Sequence, residues 1–564
     1  MTPSTPAYRD APWLALLSPA QRAPGTPPPT VLHAFAATVR RAPDRHALAY
    51  FDGRLTYRET DELSGALAGR LVARGFRRGG RAAVMLQNTP HFVLAALAVW
   101  KAGGTVVPVN PMLKAGEVRH ILDDSGATAL FCRDRAWADF LREATAGPAA
   151  PIAFTACPFG LQTRDDARVL RGERMPPPDG AEDLLTAARS GARAPADPGL
   201  GPQDPALISY TSGTTGAPKG AVNTHGNIAH NAERARVGSG LPDGSTYFAL
   251  APLFHITGMV AELGSCLVNA GTLALAYRFD AAVVLDAFLE HRPAYTIGPA
   301  TAFMALMAQP GVCRDHFASF RLVSSGGAPL PPALVERFRA TSGHYLHNGY
   351  GLTETTATTA SVPPGTEAPL DPATGTLAVG VPGPGTLVRI LDERGAEVPF
   401  GGHGEIVVSG PQVVPGYWRR PGETATALPG GELRTGDIGF MDHDGWLYVV
   451  DRKKDMINAS GFKVWPREVE DVLYTHPAVR EAAVVGVPDD YRGETVRAYV
   501  SLRPGPAPEP AELVAHCRER LAAYKVPREV RVLADLPRTT SGKILRRELR
   551  DDPAARQGKT GGGA

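Results

Sequence analysis

Tyr210-Thr211-Ser212-Gly213-Thr214-Thr215-Gly216-Ala217-Pro218-Lys219-Gly220 decides how this chain is read. The run from Thr211 to Gly216 holds only Ser, Thr and Gly, so it offers almost no apolar surface to a core. It does offer backbone N–H groups, hydroxyl donors and, behind a proline, the cation of Lys219. That combination suits a loop wrapped around phosphate. The spacing is not Walker A, because Lys219 does not directly follow a Gly-x-x-x-x-Gly and no Ser or Thr follows it. A flexible linker would need no Pro-Lys-Gly at a fixed end. This stretch also abuts Ala206-Leu207-Ile208-Ser209-Tyr210, an apolar run predicted to be a strand.

A chain of 564 residues exceeds one core, so two or more domains are expected. Hydrophobic content of 43% and charged content of 21% place it among ordinary soluble globular proteins. A net charge of +2 gives no basic field that would imply nucleic acid or an anionic membrane as partner. Cys132, Cys157, Cys266, Cys313 and Cys517 form no Cys-x-x-Cys pair and no metal spacing with His, so reduced thiols of a cytoplasmic protein are expected. No basic start followed by an apolar stretch marks a signal peptide. The longest apolar run, Phe92 to Trp100, is closed by Lys101 and is too short to span a bilayer.

Residues 1–29 are Pro-rich and are expected to drape over the surface as a flexible tail. Further on, Ala82 to Leu86 is predicted as a buried strand, His91 to Lys101 as a helix and Thr105 to Val109 as a strand. Such alternation predicts a layered α/β domain. Residues 157–205 are predicted as a surface excursion, and strands and turns are expected to dominate from 206 to about 450. A compact α/β domain of ordinary size is expected to follow. It comprises a helix over Arg467–Tyr474, strands over Val479–Val487 and Val496–Leu502, a helix over Pro508–Ala523 and a strand over Val530–Leu533. Residues 551–564, ending Thr-Gly-Gly-Gly-Ala, are expected to be disordered.

Seven more segments fall into line with the phosphate loop. They are Pro252-Leu253-Phe254-His255-Ile256-Thr257-Gly258, Ser324-Ser325-Gly326-Gly327-Ala328-Pro329-Leu330 and Asn348-Gly349-Tyr350-Gly351-Leu352-Thr353-Glu354-Thr355. Downstream stand Arg434-Thr435-Gly436-Asp437, Asp451-Arg452-Lys453-Lys454-Asp455, Ser460-Gly461-Phe462-Lys463-Val464-Trp465-Pro466 and Ser541-Gly542-Lys543-Ile544-Leu545. In this order they resemble the adenylate-forming superfamily of acyl-CoA synthetases, stand-alone adenylation domains and firefly-type luciferases, over roughly residues 30–550. The resemblance implies an α/β fold with a large N-terminal domain, residues 30–452, of layered α/β subdomains plus a β-rich subdomain. A small mobile C-terminal α+β domain, residues 453–550, follows.

The resemblance implies ATP, Mg²⁺ and, as second substrate, coenzyme A. In such chemistry a carboxylate attacks the α-phosphorus of ATP and pyrophosphate leaves. The barrier is mostly charge repulsion and positioning, so cations, donors and a metal are needed. Glu354 is similar to the family's magnesium ligand and Thr353 to its α-phosphate contact. Asp437 resembles the ribose anchor, and Arg452 the residue that steadies ribose and phosphate. Gly326, Gly327 and Ala328 look like the flat shelf for adenine, with Tyr350 as the aromatic lid and Asn348, Gly349 and Gly351 completing the nucleotide wall. Thr211, Ser212, Gly213, Thr214, Thr215 and Gly216 become a clasp for the β- and γ-phosphates, with Lys219 as its foot. Lys543 matches the lysine that serves adenylation only. Lys454 matches the hinge, Gly461 the pantetheine tunnel and His255 the gate between acid pocket and tunnel.

The acid pocket is expected along His255–Val260, Ile297–Phe303, Ser324–Ala328 and Asn348–Thr356, while Phe303, Met304 and Met307 fit a core helix. The segment Ile457 to Glu470 looks most like fatty-acyl and aryl-acid CoA ligases. Relatives that activate amino acids place an Asp near the position of Ile256. Here the only acid from Phe254 to Glu262 is Glu262, so an α-amino acid is disfavoured. The leading reading is a carboxylate–CoA ligase acting on a small-molecule acid as monomer or homodimer. Three alternatives stand beside it: an enzyme that loads a carrier protein, a nitrite-activating diazotase acting on an aryl amine, and an inactive adenylate-binding scaffold. Intact Lys219, Glu354, Asp437 and Lys543 argue against the scaffold.

Overall fold

The structure, a computed structural model, describes residues 8–550 apart from 24, 149, 173, 212–217, 453–454, 460–461, 490–492 and 539–543. The first α/β layer is a seven-stranded sheet in the order Glu182–Asp183, Ile152–Ala156, Ala129–Arg133, Arg81–Met85, Thr105–Pro108, Pro205–Tyr210, Gly220–Thr224. Its strands run parallel up to Pro205–Tyr210, and Gly220–Thr224 returns antiparallel with Tyr210 facing Gly220. The Ser/Thr/Gly run is therefore the connection between two paired strands.

A nine-stranded sheet forms the second layer. Its order is Val381–Pro382, Ala360–Ser361, Leu346–Tyr350, Leu322–Gly326, Tyr295–Gly298, Thr246–Phe248, Thr272–Leu275, His46–Tyr50, Gly53–Thr56. The strands from Leu346–Tyr350 through His46–Tyr50 are mutually parallel, and the edges are antiparallel. Helix Pro90–Lys101 belongs to the core that both sheets share. Every residue from Pro90 to Trp100 is buried, which explains a helix apolar all round. Pro90 occupies its first turn, where no N–H is needed.

Strands Leu387–Leu391, Gly404–Ser409, Leu433–Met441 and Leu447–Arg452 form a four-stranded antiparallel sheet. The remaining sheet joins Phe462–Val464, Ile457–Ala459, Gly493–Leu502 and Val479–Asp489, with Glu529–Val532 parallel to Gly493–Leu502. Helices Pro466–Tyr474, Pro510–Arg518 and Arg546–Arg550 accompany it. The α/β layers, β-rich sheet and smaller α+β unit agree with the expected fold class. Among the described residues no helix is long and apolar enough to cross a membrane.

Three expectations are corrected. The described part of residues 1–29 is not a surface tail: Tyr8, Trp13 and Leu17 are buried in the core of the β-rich sheet, and Tyr8 Oη donates to Val398 O at 2.9 Å. Pro12 opens the short helical turn Pro12–Leu16 that carries the buried Trp13. Residues 157–205 contribute an edge strand, Glu182–Asp183, and a helix, Leu184–Ala188, whose leucines enter the main core. Helices His225–Ser239, Ala281–His291, Ala300–Met307 and Pro332–Ser342 alternate with the strands after residue 206. They cover the faces of a parallel sheet, whose crossovers require them. Phe303 is fully buried in helix Ala300–Met307, as a core residue should be. Residues 551–564 lie outside the described residues.

Candidate active site

Strands Tyr295–Gly298, Leu322–Gly326 and Leu346–Tyr350 end side by side, and open α/β sheets bind ligands outside the carboxyl ends of their strands. Tyr295 stands opposite Leu322 and Ile297 opposite Ser324. Strand alternation puts these four side chains on one face, where they line a cavity of about 150 Å³. His255, Gly326, Gly327, Asn348, Gly349, Tyr350, Gly351 and Thr353 line the same cavity. Ala328 lies beside it, half-buried.

The glycines of this wall have specific reasons. Gly327 has φ of +81°, and a Cβ there would meet nothing within 4 Å, so the floor is open. A Cβ on Gly351 would lie 1.5 Å from Ala357 O, which no side chain tolerates. Ala357 closes the turn that carries Thr353 and Glu354, and both Thr356 (φ 51°) and Ala357 (φ 84°) are left-handed. Strain of this kind persists only where the surroundings over-determine it. Here Asn231 Nδ2 donates to Thr355 O at 3.0 Å and to Thr356 O at 2.6 Å. Asn223 Nδ2 donates to Thr353 O and to Thr356 Oγ1, both at 3.0 Å, and Val414 N donates to Glu354 O at 2.9 Å.

Two tyrosine–carboxylate pairs adjoin the cavity wall, one through the lining residue Tyr350 and one through Glu354, which follows the lining residue Thr353. Tyr350 Oη donates to Asp437 Oδ2 at 2.7 Å, and Arg452 Nε stands 3.2 Å from Asp437 Oδ1. Burial, then the Asp437 charge, holds the Tyr350 phenol well above its ordinary pKa, so it stays a donor. In the second pair Tyr417 Oη donates to Glu354 Oε1 at 2.7 Å, and Lys219 Nζ lies 5.5 Å from the Tyr417 ring centre. Burial and then Glu354 likewise raise the Tyr417 phenol. Thr211 N donates to Lys219 O at 2.9 Å and ties together the two ends of the Ser/Thr/Gly segment. His255 Nδ1 accepts from Thr257 N at 3.3 Å, which puts the proton of a neutral ring on Nε2.

The folded chain thus brings His255, Thr353, the glycine wall, Tyr350, Asp437, Arg452, Glu354, Thr211 and Lys219 to one region. Ser212, Gly213, Thr214, Thr215, Gly216, Lys454, Gly461 and Lys543 lie outside the described residues. Sequence reading missed Tyr417, Asn223 and Asn231. The aromatic pair Tyr417-Trp418 after Pro415-Gly416 is a detectable signal, whereas the two asparagines carry none, since only tertiary contact reveals their partners. No group of three His, Cys, Asp or Glu among the described residues could hold a metal alone. Glu354 can, however, offer one carboxylate beside phosphate oxygens, the donor set Mg²⁺ prefers. A larger cavity, about 940 Å³, lies between helices Val31–Arg41 and Tyr57–Ala73 and contains none of these groups.

Residues 35–418 match the profile of the AMP-binding enzyme family, and residues 468–543 match that of the AMP-binding enzyme C-terminal domain. The chain belongs to the AMP-binding enzyme family. It is 35% identical to a long-chain-fatty-acid–CoA ligase of Bacillus subtilis (strain 168), over 91% of this chain and 92% of that one. It is 37% identical to a feruloyl-CoA synthase of an Amycolatopsis species, over 91% and 96%. Among solved structures it is similar to the anthranilate CoA ligase AuaEII in complex with anthranoyl-AMP, with a TM-score of 0.84, 26% identity and coverage of 94% and 98%. The first profile ends at residue 418, between strands Gly404–Ser409 and Leu433–Met441, and the second begins at residue 468, inside helix Pro466–Tyr474.

Proposed function

We propose that this chain is an ATP-dependent carboxylate–CoA ligase that works through an acyl adenylate. One observation carries the reading: a cavity with an open glycine floor is lined by Tyr350, which holds Asp437, and by Thr353, whose neighbour Glu354 is held by Tyr417. That arrangement offers a nucleotide one carboxylate as ribose acceptor and a second for the phosphate side. The named CoA ligases among the relatives support a carboxylic acid and CoA as the other two substrates.

Asp437 accepts from the ribose hydroxyls, while Tyr350 and Arg452 fix its orientation. Thr353 presents its hydroxyl toward the α-phosphate. Lys219, held over Tyr417, anchors the loop that wraps the outer phosphates. Magnesium held by Glu354 would neutralise charge on the phosphate oxygens. Lys543 bridges the acid carboxylate and the α-phosphate as negative charge gathers there. For the second half-reaction the C-terminal domain, residues 453–550, turns about Lys454, and the thiol enters past Gly461. His255 gates the passage between acid and thiol.

Ile256, Ala261, Ile297 and Leu322 give the acid an apolar seat. Glu262 is not an amine anchor: its Oε1 already accepts from Leu250 N (3.0 Å), Ala251 N (3.3 Å) and Ile297 N (3.3 Å), where strand Thr246–Phe248 stops short. Burial raises its carboxyl well above the usual range. The test is AMP release by the purified protein with fatty and aryl acids, with and without CoA. Release that needs both acid and CoA supports the reading. Release only with nitrite and an aryl amine overturns it.

A further inference from the structure

Neighbouring side chains on a strand point to opposite faces. At the end of strand Leu447–Arg452, Arg452 turns toward Asp437, and Asp451 turns the other way into a buried ionic cluster. Asp451 Oδ1 accepts from Arg546 Nη1 at 3.0 Å, and its Oδ2 accepts from Arg467 N at 3.0 Å. Arg546 Nη2 donates to both oxygens of Glu470, at 2.8 and 2.7 Å, charge-assisted bonds stronger than neutral ones. Its Nη1 also lies 3.4 Å from Asp455 Oδ2, and Asp455 Oδ1 takes Arg550 Nη2 at 2.8 Å. One guanidinium therefore bridges Asp451, before residues 453–454, and Asp455, after them.

Helix Arg546–Arg550 does not need that bridge to stay on its own sheet. Leu549 is buried beside Val485 and Tyr499, and Tyr499 Oη donates to Leu549 O at 2.9 Å. What Arg546 adds is a bond to the strand that carries Arg452. Resting on the adenylation reading above, we infer that Arg546 is a positioning residue for the first half-reaction, holding its helix to the strand end at Asp451 and Arg452. The residue assigned to adenylation, Lys543, precedes it by three positions, a reach of at most about 10 Å. Pinning Arg546 to the neighbour of Arg452 limits how far the lysine's chain can stray from the nucleotide end.

The experiment compares the two half-reactions in the full-length chain. Acid-dependent ATP–pyrophosphate exchange reports the first, and thioester formation from preformed acyl adenylate and CoA reports the second. Arg546→Ala is expected to slow exchange by about 30-fold while thioester formation stays within about threefold, because misplacement harms only the step that needs the lysine. Asp451→Asn, which preserves shape, should shift the two rates in the same unequal way, and Arg546→Lys should recover part of the exchange. Equal loss of both half-reactions in folded Asp451→Asn protein, or exchange within about threefold of wild type, overturns the inference. Wild type run alongside separates the claims. No acid-dependent exchange in wild type refutes the ligase reading and this inference with it, whereas a normal wild type with unsplit variants refutes the inference alone.

Discussion

Gly351→Ala adds a single methyl group to the cavity wall, and the structure states what it meets. The new carbon would sit 1.5 Å from Ala357 O, about 2 Å short of a normal contact. The obstacle is backbone, and it closes the turn that holds Thr353 and Glu354. Asn223 and Asn231 pin that turn from behind, so it has little room to retreat. Overpacking of a tight site costs about 1–3 kcal/mol, and a backbone obstacle belongs at the upper end. If the turn yields by even about 1 Å, a loss near 10²-fold in adenylation follows. ATP–pyrophosphate exchange measures that loss, and a urea titration measures the stability cost. Gly327→Ala is the control: its Cβ meets open space, so only the left-handed backbone, about 1–2 kcal/mol, opposes it. Exchange for Gly351→Ala within about threefold of wild type, with an unchanged urea midpoint, would refute the steric reasoning.

Asp437→Asn keeps an acceptor for Tyr350 but removes the charge facing Arg452. Charge-assisted bonds contribute about 1.5–3 kcal/mol, so the KM for ATP should rise by about 10-fold or more, read from initial rates. Trp13→Ala empties a site that is 1% exposed, and a cost of about 3–5 kcal/mol should appear as an earlier urea transition. Lys543→Ala should abolish most pyrophosphate exchange yet spare thioester formation from preformed adenylate, and equal loss of both would sink its assignment.

The fold was legible wherever apolar runs met clear turn signals. Strand Arg81–Met85 and helix Pro90–Lys101 lie within a residue of their predicted positions, because burial on all sides leaves an uninterrupted apolar text. Helices such as His225–Ser239 were harder to see: Asn227, Asn231 and Arg234 face inward to bond the backbone of the site, which blurs the apolar period. Trp13 was misjudged for a related reason, since short Pro-rich turns resemble a tail until their partner surface is known. At the site, motifs marked the residues proposed to hold the nucleotide, Tyr350, Glu354 and Asp437 among them. They did not mark what holds these residues. The pairing of Tyr350 with Asp437 joins positions 87 apart in the chain, and Tyr417 meets Glu354 across 63. Such contacts have no local signature.

The central claim is that a carboxylate oxygen attacks the α-phosphorus of ATP and then leaves with AMP when the thiol takes the acyl group. Supplying the enzyme with an acid labelled with oxygen-18 in its carboxylate, together with ATP and CoA, and weighing the released AMP by mass spectrometry tests this bond by bond. The account predicts that AMP carries one labelled oxygen per turnover. AMP formed without label, or formed only when nitrite and an aryl amine replace the acid, would contradict it.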